Sequence, residues 1–251
     1  MSAAVEFRGV GYRIGGREIL QDLSLELAAG ETLALLGRSG SGKTTALKMV
    51  NGLLRPTSGE VRVEGKSTAA WDPIALKRRI GYVIQEVGLF PHFTVAENVG
   101  LAPRLAGWSA SRIRERVEEL LTQVGLEPRQ FAGRYPRELS GGQRQRVGVA
   151  RALAADPPLL LFDEPFGALD PVTRVEIQRL FVDLRRSLRK SAIFVTHDVR
   201  EAMVVATRVG LLHQGRLEVL ATPKDLPRAR GREIEAFLAC LSGPLDGEGT
   251  A

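Results

Sequence analysis

Three motifs that follow one another in a fixed order constrain this chain more than any other feature of its sequence. A glycine-rich loop, GRSGSGKT, spans 37–44, the segment LSGGQ spans 139–143, and an apolar run with an acidic end, LLLFDE, spans 159–164. At average amino-acid frequencies such a loop arises by chance in roughly one chain in a hundred of this length, and LSGGQ in fewer than roughly one in a thousand. Their occurrence together indicates one defined fold that carries a site.

The glycine-rich loop has the pattern of a P-loop, which holds the phosphates of a nucleotide. Glycine at 37, 40 and 42 lets backbone N–H groups approach phosphate oxygens closely, and the positive end of the following helix adds to the attraction. Lys43 supplies a charge to the β and γ phosphates, and Thr44 supplies a hydroxyl to Mg²⁺. The flanking runs ETLALLG and TTALKMVNGLL predict the strand and the helix that this chemistry requires. We therefore expect the nucleotide to contact Gly37, Ser39, Gly40, Ser41, Gly42, Lys43, Thr44 and Thr45.

The acidic end of the second apolar run carries two carboxylates, Asp163 and Glu164. Burying carboxylates at a strand end without a partner is costly, so we expect these two to serve the site. The alternative is that they only cap the next element of structure.

LSGGQ is followed by RQRVGVARALAAD, so it predicts a loop that leads into the N-terminus of a helix. In that position Ser140 and the two glycines present a hydroxyl and backbone donors to an anion. The segment is too far along the chain to be assigned to its own P-loop. A glycine-rich turn without a ligand is the alternative.

The remaining sequence alternates between strand and helix patterns. VEFRGVGYRI, EILQDLSLEL and GEVRVEG predict antiparallel strands, and RIGYVIQ predicts a core strand. From 94 to about 156 the pattern is helical, with Ser109 or Ser111 as a helix start and Gly125 as a helix end. LLLFD, SAIFVT and RVGLLH then predict parallel strands, and RLEVLA predicts a final strand.

These patterns predict an α/β fold. It has a P-loop core with a mainly parallel sheet, an N-terminal antiparallel β subdomain and an inserted α-helical subdomain. We expect one nucleotide-binding domain over 1–242, with the helical subdomain at about 94–156, and a flexible tail over 243–251.

Composition excludes several classes of protein. The chain of 251 residues is 44% hydrophobic and 25% charged, as in soluble globular proteins and unlike disordered or fibrous ones. Cys240 is the only cysteine, which excludes an internal disulfide, and we expect it to be a small buried residue on a C-terminal helix. The N-terminus has no signal-peptide pattern and no apolar run approaches the ~20 residues that span a bilayer, so we expect any membrane attachment to come through a partner.

The net charge of +6 would permit binding to nucleic acid, anionic lipid or a polyphosphate. The arginines, however, are scattered over amphipathic helices, without a block of like charges or interleaved aromatic residues. We therefore expect a solvated basic surface and no nucleic-acid partner.

Together the three motifs resemble the ATP-binding cassette (ABC) family, the ATPase subunits of ABC transporters, from Val5 to about Leu226. The resemblance implies that ATP and Mg²⁺ are the cofactors. It also implies that Asp163 orients Mg²⁺ through water and that Glu164 is the general base toward the attacking water. Arg38 and Thr44 stand where the family often has other residues, but the loop binds through its backbone and Thr44 keeps the hydroxyl.

In this family the signature of one subunit completes the ATP site of the other. The resemblance therefore implies that Ser140, Gly141, Gly142 and Gln143 bind ATP held by a second copy in a head-to-tail dimer. Four further positions match the family pattern, although each alone is a weak signal. Tyr12 would stack on adenine, Gln85 would sense Mg²⁺ and the attacking water, Asp170 would lie at the dimer seam, and His197 would contact the γ phosphate.

Two other functions are compatible with a P-loop. One is a soluble cassette ATPase that acts on DNA or ribosomes, but such proteins usually carry paired cassettes, a long coiled-coil insertion or a metal hook. The other is a P-loop kinase or GTPase, but the chain has no Asn-Lys-x-Asp motif for guanine, and those enzymes have no use for LSGGQ. The sequence favours a transporter ATPase over both.

Import is favoured over export, because LFPHFTVAENV is similar to importer subunits. RRIGYVIQEVGLFPHFTVAENV and FVTHDVREAM look most like the cassettes for quaternary amines and osmoprotectants such as glycine betaine, choline or carnitine. An importer of an amino acid, sugar or ion is the alternative.

The implied partners are a membrane permease, which a Leu89-Phe90 surface would contact at the cytoplasmic face of the membrane, and indirectly a solute-binding protein. Many osmoprotectant cassettes carry a C-terminal pair of regulatory domains. Because the sequence ends at Ala251, we do not expect osmotic gating of transport through such domains.

Overall fold

The structure is a computed structural model, which describes residues 3–85, 88–167, 169–188 and 190–242. The predicted tail over 243–251 lies outside the described residues. So do Glu86 and Val87, in the run that resembles importer subunits, and Ala168, which precedes Leu169 and Asp170.

A four-stranded antiparallel sheet with the order β2-β1-β4-β5 forms the N-terminal part of the fold. Its two long strands follow the predicted alternation of buried and exposed residues, because one face of the sheet is packed and the other is not. The strands are β1 (Ala3–Ile14), β2 (Arg17–Ala28), β4 (Ser58–Val63) and β5 (Lys66–Ser67).

A six-stranded sheet with the order β10-β9-β3-β8-β7-β6 forms the centre of the molecule. Five strands are parallel and β10, at one edge, is antiparallel to β9. The strands are β3 (Thr32–Leu36), β6 (Ile80–Val83), β7 (Leu159–Asp163), β8 (Ser191–Thr196), β9 (Arg208–His213) and β10 (Arg216–Ala221). Every residue of β3, β7 and β8 is buried, as expected for parallel strands covered on both faces. The carboxyl ends of these three strands lie side by side, which is where ligands bind in open α/β sheets.

Nine α-helices are found among the described residues, and four of them lie between β6 and β7. The helices are α1 (Lys43–Val50), α2 (Pro73–Arg78), α3 (Val95–Leu105), α4 (Ala110–Gln123), α5 (Pro128–Phe131), α6 (Gly141–Leu153), α7 (Pro171–Leu188), α8 (Val199–Val205) and α9 (Arg232–Ser242). Ser109 caps α4 at its start, and Gly125, with φ +72°, follows its end. The predicted α/β arrangement with a helical insertion is therefore confirmed.

Two apolar clusters cover the two faces of the central sheet. Alternate residues of β7 point to opposite sides, so Leu160 and Phe162 join one cluster whereas Leu159 and Leu161 join the other. The first cluster includes a group of packed rings, in which Phe162 stacks on Phe194 at 4.3 Å between ring centroids. Truncating a buried ring of this kind costs about 3–5 kcal/mol. The clusters fix the strands, and with them the loops at their carboxyl ends.

Three sequence expectations were imprecise or wrong. The helix predicted after the P-loop ends at Val50, and the strand predicted over RIGYVIQ is confined to Ile80–Val83 at the edge of the sheet. Cys240 is exposed rather than buried. The reason is the orientation of α9, which buries Ile234 against the core and leaves the side of Cys240 open.

Candidate active site

The P-loop is shaped by the glycine that precedes α1. Gly42 has φ +103°, and a Cβ at this position would lie 2.6 Å from Leu20 Cδ2 and 2.9 Å from the carbonyl oxygen of Ile19. A side chain is therefore excluded by conformation and by space. The loop backbone is held against β2 as the chain enters the helix.

Lys43 is folded back onto its own loop. Its Nζ donates to the carbonyl oxygens of Gly37 at 2.8 Å and Arg38 at 2.9 Å. Burial lowers the pKa of Lys43, and the charges of Glu164 and Asp163 oppose this shift.

Ser41 adds a second buried polar group, because its Oγ has no hydrogen-bond partner among the described residues. Together with the ammonium of Lys43 and the N-terminus of α1, it makes a set of donors that fits a phosphate chain.

Thr44 and Asp163 meet at the carboxyl ends of β3 and β7. Thr44 Oγ1 donates to Asp163 Oδ1 at 2.9 Å, and Tyr82 Oη donates to Asp163 Oδ2 at 3.3 Å. Burial raises the pKa of Asp163, while the bonds from Thr44 and Tyr82 lower it. A hydroxyl beside a carboxylate is the hard oxygen set that Mg²⁺ prefers, so these residues fit the ion.

Glu164 directly follows β7 in a conformation that is unusual for a residue with a side chain. Its φ is +47°, and its backbone N–H donates to the carbonyl oxygen of Val195 at 2.9 Å. Such left-handed residues cluster at functional sites, because the surrounding structure must hold them. The turn directs Glu164 toward His197, whose Nδ1 lies 3.2 Å from Glu164 Oε2.

A cleft of about 550 Å³ opens in front of these groups. Arg38, Ser39, Glu164 and His197 line part of it. The rest of the lining comes from α9, which the sequence did not assign to the site. Its contribution is Ala236, Phe237 and Cys240.

The signature segment forms the start of α6. Ser140 Oγ accepts a hydrogen bond from the N–H of Gln143 at 3.2 Å, and Gln143 Oε1 accepts from the N–H of Ser140 at 2.9 Å. Gly142 faces α7 so closely that a Cβ would lie 2.4 Å from Thr173 Cγ2. Gly141 lines a different cleft, of about 480 Å³, together with Gln85. Of the described residues that line the P-loop cleft, none belongs to the signature segment.

The other predicted residues lie in different surroundings. Gln85 is exposed, and none of the hydrogen bonds among the described residues joins it to Thr44 or Asp163. Thr45 is half-buried within α1. Asp170 caps α7, where its Oδ1 accepts hydrogen bonds from two backbone N–H groups. Hydrogen bonds from Thr173 are the main cause that lowers the pKa of the Asp170 carboxyl.

Tyr12 lies close to the P-loop through its neighbour on β2. It is half-buried and pairs with Leu20, the residue whose side chain would block a Cβ at Gly42. Stacking on adenine stays a prediction, and so do the roles of the other predicted site residues.

Sequence reasoning missed one group that contacts a predicted site residue and one that contacts the end of β8, next to His197. The first is the hydroxyl of Tyr82, whose only signal is a phenol inside an apolar strand. The second is Glu201 on α8, which is buried and accepts a hydrogen bond from Thr196 Oγ1 at 2.5 Å. Arg174 Nε lies 3.9 Å from Glu201 Oε1. The sequence signal for Glu201 is a lone acid among the buried residues of a short helix.

Comparisons with known proteins show that this chain is similar to transport ATP-binding proteins. The family described as ABC transporter matches residues 20–167. The glycine betaine/carnitine/choline transport ATP-binding protein OpuCA of Bacillus subtilis is 47% identical over 225 residues, which cover 89% of this chain and 59% of that protein. The osmoprotectant import ATP-binding protein OsmV of Salmonella typhimurium is 49% identical over 207 residues, which cover 82% of this chain and 54% of that protein. The chain thus spans little more than half the length of these relatives.

A more distant relative and a solved structure extend the comparison. The sulfate/thiosulfate import ATP-binding protein CysA of Bradyrhizobium diazoefficiens is 45% identical over 226 residues, with 88% of this chain and 64% of that protein covered. The ATP-binding cassette MJ0796, in a dimeric post-hydrolysis state bound to ADP and Pi, superposes with a TM-score of 0.78 at 36% identity. That match covers 91% of this chain and 100% of the other.

Proposed function

Because this chain belongs to the ABC transporter family, we propose that it hydrolyses ATP to power an importer of quaternary ammonium osmolytes such as glycine betaine, choline or carnitine. The observation that carries the ATPase assignment is the meeting of Lys43, Thr44, Asp163, Glu164 and His197 at one edge of the central sheet. The import assignment rests on the similarity to OpuCA and OsmV.

The proposed chemistry needs each of these groups in a separate role. Lys43 leaves the carbonyl oxygens of its own loop and pairs with the β and γ phosphates. Thr44 and Asp163 would hold Mg²⁺, which supplies charge neutralisation on the phosphate oxygens when it is bound. Glu164 accepts the proton of the attacking water, and His197 orients that carboxylate and contacts the γ phosphate.

A second copy completes the proposed site. Ser140 and Gly141 lie outside the cleft of their own P-loop, so their donors are available to ATP that is held by another cassette. The similarity to MJ0796, which forms a dimer, supports this arrangement. In the proposed dimer, Asp170 lies at the seam and Tyr12 stacks on adenine.

The remaining proposed partner is a membrane permease. Among the described residues, no helix combines the length and the apolar character needed to cross a bilayer. Phe90 is 41% exposed and Leu89 packs beside it against the core, which suits a surface that receives a helix of the permease at the cytoplasmic face of the membrane. We propose that residues 1–242 form one cassette domain with a helical subdomain at about 94–156.

The substrate assignment has one competitor. The similarity to CysA, at 45% identity, is only slightly lower than the similarity to OpuCA and OsmV. Cassettes for different solutes are therefore alike in sequence, because in this family the solute contacts a binding protein and the permease. An importer of another small solute is the second candidate function.

The test is uptake in cells whose chromosomal copy carries Lys43→Ala. We expect uptake of radiolabelled glycine betaine, choline or carnitine to fall, because the phosphate charge partner is lost while the fold is kept. Unchanged uptake of all three amines, with loss of sulfate, amino-acid or sugar uptake, would reject the osmolyte assignment and leave the ATPase assignment standing. The ATPase activity of purified permease complexes should likewise be stimulated by glycine betaine, choline or carnitine, and not by sulfate, an amino acid or a sugar.

A further inference from the structure

The cleft in front of Glu164 is lined by two unlike sets of residues. One set carries the reactive groups, including Glu164, His197 and Ser39 of the P-loop. The rest of the lining, the α9 wall, is formed by Phe237, together with Ala236 and Cys240. Those three side chains offer a γ phosphate no charge to pair with.

Helix α9 is fixed as a wall by polar contacts near both of its ends. Near the first end, Arg38 Nε donates to Glu233 Oε1 at 2.6 Å, and His213 Nδ1 lies 3.6 Å from Glu233 Oε2. Near the second end, Arg200 Nη2 donates to the carbonyl oxygen of Cys240 at 2.8 Å. Buried contacts of Ile234 hold the helix between them. An element that enters the cleft must therefore pass beside α9.

The signature end of a second copy has the shape and chemistry to enter. Its Ser140 and Gly141 are exposed, and Gly141 has no side chain to collide with Phe237. Its backbone N–H groups would supply the donors that the α9 wall lacks. The cleft volume of about 550 Å³ is within the range of sites that enclose a ligand.

We infer that the face of α9 formed by Ala236, Phe237 and Cys240 is part of the interface between two copies of this chain and lies against the signature end of the second copy. The inference rests on the proposed composite ATP site and adds a surface to it. In this arrangement α9 closes the outer side of the cleft once ATP has joined the two copies.

Cys240 allows a direct test, because it is the only cysteine in the chain. The experiment measures how fast a fluorescent maleimide labels Cys240 in the Glu164→Gln protein, with and without ATP, while light scattering reports dimer formation. We expect ATP to produce a dimer and to slow labelling about tenfold or more, because the core of an interface is closed to solvent.

Two controls separate interface burial from other causes. Ser140→Arg in the same background should still bind ATP but should not dimerise, so its Cys240 should label at the same rate with and without ATP. A double variant, Cys240→Ala with Ala239→Cys, moves the thiol to an exposed neighbour that does not line the cleft. Its labelling should be slowed much less by ATP.

Three other outcomes would each overturn the inference, and they can be told apart. A dimer whose Cys240 labels at the monomer rate rejects the α9 interface and leaves the composite site intact. Slower labelling in the Ser140→Arg variant as well means that bound nucleotide alone shields the thiol, which also rejects the interface. Absence of any ATP-dependent dimer rejects both the interface and the composite site.

Discussion

Nδ1 of His197 lies 3.2 Å from Oε2 of Glu164, although the two residues are far apart in sequence. They come from the carboxyl ends of neighbouring parallel strands, where Asp163 pairs with Val195. The left-handed conformation of Glu164 turns its carboxylate out of the strand and toward the imidazole. The contact holds the Glu164 carboxylate beside the imidazole of His197 at the carboxyl ends of these strands.

Glu164→Gln should abolish turnover and spare ATP binding. The amide cannot accept a proton from water, whereas Lys43 and the loop backbone are untouched. We expect kcat to fall by about 10²- to 10⁴-fold, the usual contribution of a positioned base, with an unchanged Kd for ATP. Steady-state hydrolysis and binding of a fluorescent ATP analogue check this. A kcat within about threefold of wild type would reject Glu164 as the base.

Tyr82→Phe should weaken the binding of Mg²⁺ at the site while keeping the fold. The ring remains in β6 and only the donor to Asp163 Oδ2 is lost. Hydrogen bonds to charged groups contribute about 1.5–3 kcal/mol, and the 3.3 Å separation suggests the lower end of that range. We expect about a tenfold lower rate at limiting Mg²⁺ and recovery at saturating Mg²⁺. Superimposable Mg²⁺ activation curves for the variant and the wild type would mean that the hydroxyl does not orient Asp163.

The parts of the fold that could be predicted are those fixed by local pattern. The apolar runs of β3, β7 and β8 predict buried parallel strands because both faces of these strands are covered, and the P-loop follows from its glycines. Caps such as Ser109 follow from the chemistry of helix ends. In each of these cases the residues that cause the structure lie within a few positions of it.

The parts that could not be predicted depend on contacts between distant segments. Arg38 and Glu233 are 195 positions apart, so the position of α9 beside the P-loop has no local signal. The bond from Tyr82 to Asp163 depends on the register that pairs Tyr82 with Leu161 across β6 and β7. The exposure of Cys240 likewise follows from which side of α9 meets the core, and composition alone misassigned it.

Glu201 should make stability fall as the pH rises. Burial raises the pKa of its carboxyl above the ordinary value of 4.5; Thr196 opposes the rise, Asp198 adds to it, and Arg174 and His197 lower it. The unfolded chain therefore releases this proton at lower pH than the folded chain does. The contribution to stability is fully present below 4.5 and is lost as the pH rises through the folded pKa.

Glu201→Gln checks this, because the amide cannot ionise but can still accept the bond from Thr196. Urea unfolding of both proteins from about pH 4 to about pH 8 should show wild type losing more stability than the variant as the pH rises. Curves that stay parallel over the whole range would show that Glu201 does not titrate differently in the folded and unfolded chains.

Mixing two inactive variants should restore part of the activity. Ser140→Arg blocks the signature and Lys43→Ala removes the phosphate charge partner, so neither variant alone can form a complete site. A heterodimer has one site that unites the intact P-loop of the first variant with the intact signature of the second. When half of the chains are in heterodimers, each with one of its two sites complete, the rate should be about a quarter of the wild-type rate where sites act independently.

The measurement is steady-state ATP hydrolysis across mixing ratios at constant total protein, with differently tagged variants to quantify heterodimers. The rate should peak at the equal mixture and be near zero at both ends. A mixture of Lys43→Ala with Glu164→Gln is the matched control. Both of these variants are defective in the half-site that contains the P-loop, so neither site of their heterodimer is complete and no activity should return. Heterodimers that form but stay inactive at every ratio, with sites known to act independently, would contradict the composite site, because an intact P-loop and an intact signature would then have met without producing turnover.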